Sequence, residues 1–227
     1  MIPQSIRSML PESPVFTYRT LRFLVGIIAL ILPFLVVRLS REPLTSISAS
    51  YYHDDARDWF VGLLFVVAAF LLGYNGTFYR VLQASVARLA AACAAAVAIF
   101  PTSPDGGEAA TATIHGWAAA VLFLCLAFFC TMFAYGAYLK SSKRLIVYLL
   151  CAGGILVGLA LGAYAWSMNA DQRAGSHIVY WAEWIALISF GIAWLWAGSY
   201  KWVLERLQNL GVVGTTHLEL QRSPWRA

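Results

Sequence analysis

Six apolar runs, each about 17 to 25 residues long, restrict the fold of this 227-residue chain more tightly than any other feature. They cover residues 21–37, 59–75, 82–100, 114–138, 145–166 and 177–200. About 20 apolar residues in a helix match the roughly 30 Å hydrocarbon thickness of a bilayer. Inside lipid each backbone N–H and C=O must find a partner within the protein, so runs of this kind are read as helices. A membrane β-barrel needs strict polar and apolar alternation, which is absent. The connections are too short to hold a second domain. The expectation is therefore an all-α polytopic membrane protein, a six-transmembrane-helix bundle over residues 21–200. Residues 1–20 and 201–227 flank it as a cytoplasmic segment and a cytoplasmic tail.

The charges assign the orientation. Only 12% of residues are charged, and the formal net charge is +5. If the runs alternate across a membrane, twelve basic residues fall on one side: Arg7, Arg19, Arg22, Arg80, Arg88, Lys140, Lys143, Arg144, Lys201, Arg206, Arg222 and Arg226. The other side holds four: Arg38, Arg41, Arg57 and Arg173. The positive-inside rule then puts both termini in the cytoplasm, most naturally at a bacterial inner membrane. The basic excess is thus a topology signal and does not call for nucleic acid. Membrane lipids are the expected partners. Aromatics agree: Trp59, Trp117, Trp166, Trp181 and Trp184 fall towards the outer side, and Tyr74, Tyr79, Tyr135, Tyr138, Trp194, Trp196, Tyr200 and Trp202 towards the inner.

Small residues mark close helix packing. Gly154, Gly158 and Gly162 recur every four residues and form a face for another helix, in the same subunit or in a homo-oligomer. Cys93, Cys125, Cys130 and Cys151 all lie inside apolar runs without metal-ligand spacing, and read as small core residues.

Chemistry concentrates on the outer side. With the amino terminus inside, the second, fourth and sixth runs all enter from the outside, and His53, His115 and His177 sit at their starts. Neutral imidazole is a common zinc ligand, and three ligands with a bound water make the usual catalytic arrangement. Zinc held by His53, His115 and His177 is the expected cofactor. Asp58 and Glu183 are candidates for proton transfer, and Ser50 and Tyr52 for hydrogen bonding to an oxyanion. Glu183 lies about one and a half turns inside the sixth run, where a carboxyl must be protonated or paired. Arg41 and Arg57 neighbour the aspartates of the first outer loop, either as surface ion pairs or as a site for a lipid phosphate. The expected function is a zinc-dependent integral-membrane hydrolase acting on a lipid or lipid-linked substrate at the outer leaflet. The alternatives are a transporter or proton channel using Glu183, a structural membrane subunit, and a haem protein using two histidines.

Several stretches carry a resemblance. Ser50-Tyr51-Tyr52-His53, then Arg57-Asp58 and Phe60-Val61-Gly62, resemble a family of bacterial multi-pass membrane proteins of unassigned function. So do Phe100-Pro101-Thr102-Ser103 followed by His115, and Glu183 followed by Phe190 and Trp194. More distantly, the chain is similar to the alkaline-ceramidase and progestin-receptor group of membrane hydrolases, called CREST. That resemblance implies a serine, an aspartate and three histidines around zinc, cleaving lipid amides. The chain departs from that pattern. Ala49 stands where the serine belongs, with Ser48 and Ser50 off register, and Trp181 stands where a second late histidine would fall. That group also has seven helices.

Overall fold

The ends of the long helices follow local chemistry. The computed structural model describes residues 18–76, 79–102 and 109–209, and among them there are helices and no strands. Helix α1 spans Tyr18–Ser40 and closes with Ser40 Oγ donating to the Val36 carbonyl at 2.7 Å. A 3-10 turn, Ser48–Tyr52, leads through His53 into α2, Asp54–Leu72. Asp54 and Asp55 in the first turn of α2 complement the partial positive charge of a helix amino terminus. They start the helix about five residues before the apolar run that marks it in the sequence. Helix α3, Arg80–Ile99, stops because Phe100 precedes Pro101 and takes an extended conformation, φ −93° and ψ 112°. Helix α4 is Ala109–Tyr138 and α5 is Arg144–Ser167. Between them Ser141 adopts φ +46°, which lets Ser142 N–H and Lys140 N–H both reach the Ala137 carbonyl, at 3.0 and 3.2 Å. Short helix α6, Ala170–Ser176, is capped by Asn169, whose side chain accepts from Gln172 N–H at 2.9 Å. Helix α7, Ile178–Asn209, runs past the expected end at residue 200 into the stretch assigned to the tail.

Contacts between helix ends fix an up-and-down order. Arg22 near the start of α1 donates to Tyr74 Oη just beyond α2, at 2.6 Å. The rings of Tyr79 and Tyr135 meet at 6.5 Å, joining the start of α3 to the end of α4. Trp117 and Trp166 do the same for α4 and α5 at the other end. The loop after α1, the loop after α3 and helix α6 therefore share one end, called here the loop end. Two contiguous cores follow. One, around Tyr74, Phe129, Phe190 and Trp194, fills the bundle away from the loop end. The other, around Val36, Ile47, Phe60, Val97 and Ala118, lies under the loop end.

Five helices are long and apolar enough to cross a membrane: Thr20–Ser40, Arg80–Ile99, Ala110–Tyr138, Arg144–Ser167 and Ile178–Ser199. Their outward faces carry large apolar side chains such as Phe34, Val81, Ile146 and Leu150. Aqueous surfaces rarely expose apolar patches on that scale, so these faces fit lipid. Helix α2 is not among the five. Asp54, Asp55, Arg57 and Asp58 crowd its first two turns, leaving residues 59–72, roughly 21 Å of apolar helix.

Two details correct the sequence reading. Tyr74 and Trp194, assigned to an aromatic belt, are 1% exposed and pack together in the core. Arg22 stacks there too, its guanidinium 4.7 Å from the Phe133 ring centroid and 5.3 Å from that of Tyr74. The glycine stripe is only partly used. Gly158 faces α7 so closely that an added Cβ would lie 2.5 Å from the Ala182 carbonyl, and Gly154 faces Ser189, whereas Gly162 has nothing within 4 Å. A second crossing, equally close, joins α1 to α7 at Gly26 and Gly191, where a Cβ on Gly26 would lie 2.5 Å from the Leu195 nitrogen.

Candidate functional site

The first loop of the loop end is rich in serine and looks like a surface segment. It is instead folded into the bundle. Leu44, Ser46, Ile47, Ser48, Ala49 and Ser50 are all buried. Burying such a segment requires partners for its backbone. Ser46 Oγ accepts from Ala49 N–H at 2.9 Å, and the Thr45 carbonyl accepts from Tyr180 N–H at 3.2 Å. Glu183 supplies the strongest anchor. Its Oε2 accepts from Ser48 N–H at 3.1 Å and its Oε1 from Ser48 Oγ at 2.7 Å. One carboxyl on α7 thereby holds the start of the 3-10 turn, 135 residues away in the chain. Both oxygens are engaged, so Glu183 is a positioning residue for this plug.

The three histidines all lie at the loop end, in different settings. His115 is 5% exposed, about 9 Å along α4 from its start. Its Nδ1 lies 2.7 Å from the Phe100 carbonyl. A carbonyl only accepts, so Nδ1 carries the proton and, in the neutral ring, Nε2 presents a lone pair. That Nε2 is buried and makes no hydrogen bond of good geometry, although the Val97 backbone also lies against the ring. His177 sits between α6 and α7 with φ +51°, exposed, and its Nδ1 lies 3.3 Å from the Leu44 carbonyl. His53 joins the 3-10 turn to α2 and is half-buried. Its N–H donates to the Ser50 carbonyl at 3.1 Å, and its own carbonyl accepts from Arg57 N–H at 2.7 Å.

Among the described residues no three His, Cys, Asp or Glu side chains form a group that could hold a metal ion. The donor chemistry at His115 suits a ligand, but the structure does not assemble His53 and His177 with it as a set. Asp58 is on the surface, 3.6 Å from Arg57 Nε. The Tyr52 hydroxyl donates to the Thr102 carbonyl, tying the end of the 3-10 turn to the loop after α3. Ser50 is fully buried, and its Oγ, like His115 Nε2, has no partner. Both lie at the loop end: Ala49, next to Ser50, and Ala118, one turn after His115, are members of the core beneath it. Asp105 and His217 lie outside the described residues. The unpaired pair of Ser50 and His115 has no sequence signature beyond the polarity of its members, since neither spacing nor periodicity shows which of several serines is buried.

No family model, curated protein or solved structure matches the chain.

Proposed function

We propose that the chain is an integral membrane protein crossing the bilayer six times, with both termini on the cytoplasmic side, and that its loop end is a reaction centre for a lipid or lipid-linked substrate. Five helices of spanning character and the twelve-to-four division of basic residues support the placement. Helix α2 contributes the sixth crossing with its charged first turns in the headgroup layer, where they stay hydrated.

The observation that carries the chemical reading is His115. A buried imidazole held by one nitrogen, with the other buried and unpartnered, is oriented for work. Such a nitrogen is a general base: it takes a proton from a hydroxyl that attacks a lipid carbonyl, then returns it to the leaving group. Ser50 offers a buried hydroxyl at the same end of the bundle, and water is the alternative nucleophile. The reaction class is hydrolysis of a lipid ester or amide. Among the described residues no three His, Cys, Asp or Glu side chains form a group that could hold zinc, so His115 is the group to which this reading assigns the proton transfer.

The test uses purified full-length protein in lipid bilayers with labelled ester- and amide-linked lipids, reading acid release. His115→Ala should lower turnover on the order of 10²–10⁴-fold. Undiminished turnover in His115→Ala, or no turnover of any lipid by the parent chain, refutes the reading. Loss of activity on chelation with recovery on added zinc would recast Nε2 as a metal ligand.

A further inference from the structure

At the loop end the flank of α2 against α3 holds a groove of about 510 Å3. Tyr51, Arg57 and Asp58 line its mouth, and Gly62, Phe65 and Ile99 its trough. We propose that this groove binds one phosphatidylethanolamine molecule, headgroup on Arg57 and Asp58 and acyl chain along Gly62 and Phe65. The inference rests on the membrane placement above and is independent of the chemistry at His115.

The trough is built for a chain. Asp58, Gly62 and Phe65 recur at helical spacing and share one face of α2. From Asp58 to Phe65 the groove runs roughly 10 Å down the helix, enough for the first several methylenes. Gly62 is exposed, and a Cβ built on it meets nothing within 4 Å. No helix packing accounts for a glycine there, and its missing side chain is what keeps the trough open. Phe65 and Ile99 are 43% and 55% exposed, an apolar surface needing a hydrocarbon partner.

The mouth selects the headgroup by charge. Arg57 stands between two aspartates, with its guanidinium 3.6 Å from Asp54 Oδ1 and from Asp58 Oδ1. Both separations exceed the 2.7–2.9 Å or so of a charge-assisted hydrogen bond, so the guanidinium donors are not saturated by these carboxylates. A phosphate fits Arg57, as guanidinium geometry favours. Bound alone, it would meet repulsion from Asp54 and Asp58. A headgroup carrying a primary ammonium a few atoms from its phosphate satisfies the aspartates as well. Phosphatidylethanolamine has that order of charges, while phosphatidylglycerol has the phosphate without the ammonium.

Native mass spectrometry of the detergent-purified full chain, titrated with the two lipids carrying identical acyl chains, decides the matter. Phosphatidylethanolamine should bind at least about fivefold more tightly than phosphatidylglycerol. Gly62→Leu should fill the trough and weaken that binding by at least about fivefold, with no fall in melting temperature. Asp58→Asn, a surface change that leaves the trough open, should erase the preference while retaining lipid. Parent-level binding in Gly62→Leu, an unchanged preference in Asp58→Asn, or equal binding of the two lipids by the parent chain overturns the proposal. Failure of the membrane placement shows separately, as release of the chain from membranes by alkaline carbonate without detergent.

Discussion

Replacing Glu183 with alanine should release the plug from the bundle end. The carboxyl satisfies two donors of Ser48, the backbone N–H at 3.1 Å and the hydroxyl at 2.7 Å. A buried donor stripped of its acceptor costs about 1–3 kcal/mol. The hydroxyl can rotate towards another acceptor, whereas the N–H is fixed by the 3-10 turn, so the upper part of the range applies to the N–H alone. With the void left by the lost carboxyl added, Glu183→Ala should cost about 3 kcal/mol. Glu183→Gln keeps an oxygen for the N–H, and its amide can donate to the serine oxygen, so its cost should stay below about 1.5 kcal/mol. Ser48→Ala removes the bond to Oε1 and keeps the N–H on Oε2, for about 1 kcal/mol. In a two-state chain of this length 1 kcal/mol moves the melting temperature by about 2–4 °C, which puts Glu183→Ala roughly 6–12 °C below the parent. Cys125, Cys130 and Cys151 are free and buried, so a thiol-reactive fluorogenic dye in detergent reports unfolding directly. The double variant closes a thermodynamic cycle, and Ser48 and Glu183 should show a coupling of about 1–2 kcal/mol. Strict additivity, or a Glu183→Gln variant as unstable as Glu183→Ala, would refute the anchoring role.

Other perturbations read other parts of the molecule. Gly158→Ala should destabilise the α5–α7 contact, because its Cβ would lie 2.5 Å from the Ala182 backbone carbonyl, while Gly162→Ala, with open space, should raise stability by up to about 1 kcal/mol; thermal melts that rank the two the other way contradict the packing. Arg22→Met should lose the bond to Tyr74 and both ring contacts, costing about 2 kcal/mol by the same melt, and an unchanged melting temperature would mean the stacked guanidinium contributes nothing. Reporter fusions after residue 140 and at both termini should read cytoplasmic, and one after residue 104 external; termini on opposite sides would show that α2 does not cross.

The helices were legible because the hydrophobic requirement of a bilayer is written residue by residue. Their ends were less so, since α2 begins on acidic residues that favour a helix amino terminus while looking like loop. The burial of the first loop was not legible at all. Ser46, Ser48 and Ser50 are polar by composition, and what makes their burial affordable is a carboxyl on a helix late in the chain. The Gly26–Gly191 crossing carries no repeat, so it escaped notice beside the more visible glycine stripe, one member of which faces open space.

The histidines show where sequence logic stops. Alternation of helices is enough to place His53, His115 and His177 at one end, because parity alone fixes the side on which each helix starts. It does not fix depth. His53 and His177 precede the helices they introduce, whereas His115 lies inside α4, sunk beside the Phe100 carbonyl. A coordination sphere tolerates errors of only a few tenths of an ångström, so a shared end is far weaker than a shared site. What depth gives instead is selectivity among equals. Of three histidines at one end, only His115 combines burial with a fixed tautomer and an unpartnered nitrogen. Buried polar atoms without a partner also occur in the other core, at Arg22 Nε and Trp194 Nε1, so it is the combination with a fixed tautomer that sets His115 apart. The groove on α2 and α3 starts from the same elements. Tyr51 follows Ser50, and Ile99 precedes the residue that orients His115. The groove therefore opens at the same end of the bundle as His115.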